Sequence, residues 1–390
     1  MQEGALSLMQ MAKVASALEA VRRNRIPVLS LLLDPTYGGV SASYAMEADI
    51  RIATSDARIG FAGPEVILNT MCDRDQAAFD KQCPPDFQSA SHLYQHGQLD
   101  VVVESEPKES MMTRVENVVS KILYILTSPE CAEIGLSPID EQVLKVTDEE
   151  KAIPFNYTRA RDINRPQVQD IISNLFTSFV ELSGDGRVGR DCCIRGGLAL
   201  FEGRAVIVLG TYKGHTPQTM QEANYGMASP HGYRTALRLM RMAEHFKIPV
   251  ITLVDTVGAW PTFECENDGQ SEAIATNLTA MSSLTVPIVT IFLGEGGSGG
   301  ALGIGMGNVI GMCSGGYFGV ISPEGAASIL GRYDNDAHKA QQFQKGTPLY
   351  SYHSYHSYHC YHCYHYYHYH YYCYHYYCYH YYYHYYYYHH

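Results

Sequence analysis

Residues 294–305, GEGGSGGALGIG, follow directly on the apolar run Val286–Leu293, and three chemistries could use such a turn. Gly294, Gly296 and Gly299 fit the G-x-G-x-x-G of a dinucleotide loop. That reading asks for an acidic residue about 20 positions further on, and "GNVIGMCSGGYFGVIS" supplies none before Glu324. Gly296, Ser298 and Gly300 fit the G-x-S-x-G of a nucleophile elbow. A triad then needs Asp and His downstream, and before the tail only Asp334, Asp336 and His338 follow, crowded together. The third reading needs no side chain. A strand ends, a helix begins, and bare backbone N–H groups face an oxyanion.

A second copy favours the third reading. "IPVLSLLLDPTYGGVSASYA" (26–45) and "VPIVTIFLGEGGSGGALGIG" (286–305) each place Pro second in a strand, end a turn in Gly-Gly and open a small-residue helix. They share glycines but no nucleophile and no acid. Bare backbone at such paired glycines could donate, since glycine lets a main chain approach a ligand closely. A helix start adds unpaired N–H groups and the positive end of a dipole. Two such turns suit a reaction that develops two oxyanions. The bland alternative is two tight strand–helix junctions with no ligand.

The elements that position these turns read as alternating strands and helices. Apolar residues at helical spacing run from Met1 to Val21, and the strand Ile26–Leu33 follows, with a second strand near Ile50–Ala53. Residues 104–160 are more charged and read as a linker with a helical piece over Met111–Leu126. "LMRMAEHFKIPVITLVDT" (239–256) repeats the helix–strand unit, and such duplication favours a parallel sheet covered by helices.

Composition bounds the partners. The net charge of −12 disfavours nucleic acid, which needs a basic field. No apolar run reaches the ~18 residues of a membrane span. Seven cysteines precede the tail without metal-type spacing, so reduced thiols are expected. From Tyr350 onward only Tyr, His, Ser and Cys occur, including 22 of the 32 Tyr and 12 of the 18 His. Such monotony cannot build a core. Cys360, His362, Cys363 and His365 offer metal ligands, but the tract reads more simply as a simple-sequence repeat out of frame.

With these stretches in view, the chain resembles the carboxyltransferase of multi-subunit acetyl-CoA carboxylase. "MQEGALSLMQMAK" (1–13), "DPTYGGVSAS" (34–43), "ADIRIATSDARIGFAGPEVI" (48–67) and "HGQLDVVVE" (96–104) resemble the C-terminal part of the β subunit. "GDGRVGRDCCIRGGLALFEGRAVIVLG" (184–210), "YGMASPHGYRTALRLMRMAEHFKIPVITLVDT" (225–256), "GQSEAIATNL" (269–278), the glycine turn and "VISPEGAASIL" (320–330) resemble the α subunit. The resemblance implies an α/β chain of two crotonase-like modules of repeated ββα units. A β-like module, truncated at its N-terminus, would occupy 1–104, a linker 105–160, a C-terminally truncated α-like module 161–346 and a low-complexity tail 347–390.

It also implies the chemistry: a carboxyl group passes from carboxybiotin on a biotin carboxyl carrier protein to acetyl-CoA, giving malonyl-CoA for fatty acid biosynthesis. Gly38 and Gly39 would hold the thioester enolate; Gly299 and Gly300 would hold the biotin oxygen. Lys213, Arg234 and Arg238 are candidates for the CoA phosphates, and Arg234 and Arg238 share a helix face with Arg241. Equally, the arginine row could be a solvated face of ion pairs. Glu272 and Glu324 read as structural. No Gly-rich ATP loop with Lys is seen, so ATP chemistry would belong to a biotin carboxylase partner, and the chain is expected as a homodimer in cytoplasm or plastid stroma.

Three departures qualify this. The upstream "GGAR" turn and zinc ribbon of the β family are not seen, so zinc is not expected and apolar sheet edges should be exposed. The family's "DTPGAYPG" is Asp255–Thr262 with Val257, Trp260 and Thr262 in place of Pro, Tyr and Gly, and its "KGR" is Lys213-Gly214-His215. The rival expectations are an inactive or degenerate fragment and a biotin-independent crotonase-fold acyl-CoA enzyme.

Overall fold

The computed structural model describes residues 5–128, 157–313 and 315–330. The tail, Cys131, and the Asp334–His338 cluster lie outside the described residues. The first 128 residues build a three-stranded parallel sheet in the order β1 (Leu29–Leu32), β3 (Ile50–Thr54), β5 (Val101–Val103), beside a short pair of β2 (Thr36–Tyr37) and β4 (Ile59–Gly60). Helices α1 (Ala5–Arg23), α2 (Pro64–Met71), α3 (Gln76–Gln82), α4 (Ala90–Gln95) and α5 (Lys108–Leu126) accompany them. As expected of an edge strand, β1 leaves apolar surface open: Leu31 is exposed, as are Ile26 and Leu33 flanking the strand.

The second sheet has the order β11 (Val309–Met312), β10 (Ile288–Gly297), β9 (Val250–Thr256), β8 (Arg204–Thr211), β7 (Ile194–Phe201), β6 (Thr177–Glu181), with β12 (Tyr317–Gly319) also on β10. The hairpin β7–β8 turns at Glu202 and Gly203, both at positive φ, the backbone that suits a two-residue hairpin. Beyond it the strands run parallel, as helical crossovers require. The helices are α6 (Val168–Leu175), α7 (Pro217–Glu222), α8 (Pro230–Phe246), α9 (Phe263–Asn267), α10 (Gln270–Ser283), α11 (Ser298–Gly305) and α12 (Pro323–Leu330). Helix α8 starts with Pro at its first position and buries Tyr233, Ala236, Leu239, Met240 and Ala243 on one stripe.

The charged stretch read as a linker contains a core helix. Val115, Ile122 and Ile125 of α5 join Ile50 and Ile52 of the first sheet and Ile194, Leu198 and Ile207 of the second in a single apolar cluster. A polar seam runs beside it. Asp100 accepts the Arg51 backbone N–H at 2.8 Å, and its other oxygen lies 2.6 Å from the Arg238 guanidinium. Arg238 also donates to the carbonyls of Ser183 and Gly184. No helix among the described residues is long and apolar enough to cross a membrane.

Candidate functional site

The second glycine turn is shorter than the sequence suggests. Strand β10 continues to Gly297 because Glu295, Gly296 and Gly297 pair with Tyr317, Phe318 and Gly319 of β12. Gly294 and Gly296 are thus strand residues, which removes the dinucleotide-loop reading. Ser298 opens α11 at φ 56° and is exposed; no histidine or carboxylate among the described residues hydrogen-bonds it. It has no nucleophile's partners.

Gly299 and Gly300 occupy the next two positions of α11, where backbone N–H groups lack an intrahelical acceptor. Neither amide has an acceptor among the described residues. The two differ in surroundings. A Cβ on Gly299 would meet nothing within 4 Å, whereas one on Gly300 would lie 2.2 Å from Ala259 N and 2.5 Å from Gly258 C. The Val257–Ala259 loop therefore lies backbone against backbone on the turn, and Val257 is part of that contact. The Tyr233 hydroxyl donates to the Gly300 carbonyl at 3.0 Å, and Asn277 donates to the Gly303 carbonyl at 3.0 Å.

The first turn corrects the expectation for Gly38. Its N–H donates to the Phe61 carbonyl at 3.0 Å, so that amide is already used. Gly38 instead supplies the positive φ, 63°, that bends the chain. Gly39 is exposed, and its N–H has no acceptor among the described residues. Its carbonyl is held by the Ser43 hydroxyl at 2.5 Å, in the π-helical turn Ser41–Ala45. No hydrogen bond or ion pair among the described residues joins the two turns.

The three cations expected at CoA phosphates are otherwise engaged. Lys213 is 6 % exposed; its ammonium binds Glu295 and lies 3.7 Å from Asp255. Both carboxylates lie near the C-terminal ends of parallel strands, β10 and β9. Burial alone would raise Glu295, but Lys213 and then Arg161 hold it below the usual carboxylate range. Arg165 binds Asp255 from the other side. Arg238 is committed to Asp100 and two carbonyls, as above. Arg234 bonds the Asp268 carbonyl and the Glu272 carboxylate. His215 faces Asp170 at 2.7 Å and the Ile163 carbonyl at 2.9 Å. These residues border a cavity of about 600 Å³ that also includes Arg165 and Leu175 and neither glycine turn.

Sequence reasoning missed Arg161 and Arg165. The signal available was that Lys213, Asp255 and Glu295 each lie near the end of an apolar strand, and charges there need partners. It also missed Asp185, whose carboxylate caps Arg187, Val188 and Gly189 N–H groups and receives His231 Nδ1 at 2.9 Å. That hydrogen bond, opposed by burial, raises the His231 pKa above 6.5. A raised folded value means stability that is fully present below the unfolded pKa and lost as pH rises through the folded one. His231→Gln should therefore lower the melting temperature more at pH 6 than at pH 9. Melting curves at both values check this; an equal loss would contradict it.

The architecture is a mixed α/β fold that resembles solved carboxyltransferase structures. A transcarboxylase 12S structure superimposes with a TM-score of 0.65 at 23 % identity, over 90 % of this chain and 65 % of that one. A single-chain, multi-domain long-chain acyl-CoA carboxylase gives 0.59 at 18 % identity, over 85 % and 31 %. The chain belongs to the acetyl co-enzyme A carboxylase carboxyltransferase-like family, whose model matches residues 151–350. The carboxyl transferase subunits beta/alpha of Salinispora tropica are 42 % identical over 334 residues, 85 % of this chain and 57 % of that protein. The alpha subunit of Photobacterium profundum is 51 % identical over 183 residues, 47 % of this chain and 57 % of its own. The chain spans somewhat over half the length of these relatives.

Proposed function

We propose that this protein is the carboxyltransferase component of an acetyl-CoA carboxylase, moving a carboxyl group from carboxybiotin on a carrier protein to acetyl-CoA. The observation that carries the reading is the pair of strand-to-helix turns whose amides at Gly39, Gly299 and Gly300 have no acceptor among the described residues. Gly299 fits a biotin oxygen because the direction its missing Cβ would take is open. When bound, the carboxylated cofactor would supply CO₂ and a base for the methyl proton. The chain's own work is then electrostatic. Gly39 N–H faces the thioester oxygen as the enolate forms, while Gly299 and Gly300 N–H groups face the ureido oxygen. Each donor is worth about 3 kcal/mol when aimed at developing charge.

Because the two turns are not joined within one chain, a homodimer that sets the first turn of one copy against the second turn of another suits this chemistry. The partners would be acetyl-CoA, a biotin carboxyl carrier protein and a biotin carboxylase, with malonyl-CoA feeding fatty acid biosynthesis. The test is the reverse half-reaction. The purified chain should decarboxylate malonyl-CoA when free biotin is added and not without it. Equal turnover without biotin would point to a biotin-independent acyl-CoA enzyme, and none in either case would favour the degenerate reading.

A further inference from the structure

We infer that Arg161 is a positioning residue for the second glycine turn, clamping it through two carboxylates. Arg161 ends the 3₁₀ turn Tyr157–Arg161, in a stretch that lies far from the turn in sequence. Its Nε donates to Glu295 Oε1 at 2.6 Å, and its Nη1 and Nη2 donate to the two oxygens of Glu324 at 2.6 and 3.1 Å. Glu295 lies in the strand that runs straight into α11, and Glu324 lies in the first turn of α12. One guanidinium therefore ties the strand that delivers the amides to the helix that follows the next strand pair.

The charges explain why a single arginine should matter. Glu295 is 1 % exposed and must keep its compensation. Lys213 supplies part but is shared with Asp255, and the Tyr317 hydroxyl adds a bond at 2.9 Å. Arg161 adds one bond to Glu295 through Nε while its two Nη groups hold Glu324, a planar arrangement that a lysine cannot reproduce. Without it Glu295 stays bonded to Lys213 and Tyr317 but loses its tie, through the guanidinium, to α12. Glu324, half exposed, loses its tie to the strand and keeps its bond to Tyr157. The strand end then gains freedom just before Ser298. A displacement of about 1 Å at a site of charge development costs on the order of 10²-fold in rate.

The inference rests on the reading that the Gly299 and Gly300 amides hold a substrate oxygen, so its test has a readout independent of turnover. Hydrogen–deuterium exchange of the Glu295–Gly305 peptide is compared in the full chain for wild type, Arg161→Gln, Arg161→Lys and Glu324→Gln. Arg195→Gln, which breaks the separate Arg195–Glu181 pair, is the control. Kinetics of biotin-dependent malonyl-CoA decarboxylation run alongside.

Arg161→Gln should raise exchange in that peptide about tenfold and lower kcat about 10²-fold, with the KM for malonyl-CoA within about twofold. Arg161→Lys should recover only part of both, and Arg195→Gln should change neither. If Arg161→Gln does not fold, Glu324→Gln must show the same increase in smaller measure. Unchanged exchange in Arg161→Gln, or in Glu324→Gln where it stands in, overturns the clamp. Raised exchange with unchanged kcat overturns its role in the chemistry. If the wild type shows no biotin-dependent turnover, the functional reading fails, and the exchange result alone decides whether the clamp exists.

Discussion

Gly299→Ala should leave the fold intact and remove most of the turnover, while Gly300→Ala should damage the fold itself. The two residues are neighbours in one helical turn, so helix propensity treats them alike and even favours Ala by about 1 kcal/mol. Their surroundings separate them. The new methyl at position 299 enters open space, and at position 300 it meets the backbone of Gly258 and Ala259. Backbone cannot swing away as a side chain can, so Gly300→Ala forces the Val257–Ala259 loop off the turn, at about 1–3 kcal/mol for overpacking. On the proposed reading the methyl at 299 narrows the open space beside its amide, and turnover should fall about 10²-fold. Thermal unfolding and biotin-dependent decarboxylation, measured on both variants, separate the cases. A fully active Gly299→Ala would mean the open space receives no ligand.

Lys213→Met should be the most destabilising of the single changes considered, and for a reason unrelated to CoA. The substitution keeps most of the side-chain length but removes the ammonium from between Glu295 and Asp255, both 1 % exposed or less. Removing one partner of a buried ion pair costs about 3–5 kcal/mol. For a unit of this size that lowers the melting temperature by on the order of 10 °C. Arg161 and Arg165 remain, so the carboxylates are not wholly abandoned. In the protein that stays folded, the KM for malonyl-CoA should be within about twofold of wild type. A stable variant with a greatly raised KM would return Lys213 to the phosphate-binding role its Gly-flanked position suggests.

These two expectations also show what the sequence can and cannot carry. The strand–turn–helix at 286–305 is legible because an apolar run, glycines and a small-residue helix start are local signals. So are the strands around Leu29–Leu32 and Ile50–Thr54, and the helix ending at Leu126. The extent of β10 is not legible, since Glu295, Gly296 and Gly297 become strand only by pairing with Tyr317–Gly319. Gly38 looks like a donor for the same reason that Gly39 does, and only the facing Phe61 carbonyl distinguishes them. The arginine row at 234, 238 and 241 is correctly placed on a helix, yet nothing local says that Arg238 meets Asp100. Arg161 is the plainest case. It stands at the first residue of the expected α-like module, where nothing local announces its partners; Glu295 and Glu324 are supplied by the fold.

The central claim is that backbone amides at the glycine turns, and no side-chain nucleophile, stabilise the reacting oxygens. Its most direct test is the biotin-dependent decarboxylation of malonyl-CoA by Gly299→Pro beside Ser298→Ala, with both variants shown to be folded. Proline deletes the N–H at a helix position where it is tolerated; alanine deletes only the hydroxyl. The account expects kcat to fall about 10²–10³-fold in Gly299→Pro and to stay within about twofold of wild type in Ser298→Ala. Full activity in the first and its loss in the second would contradict it.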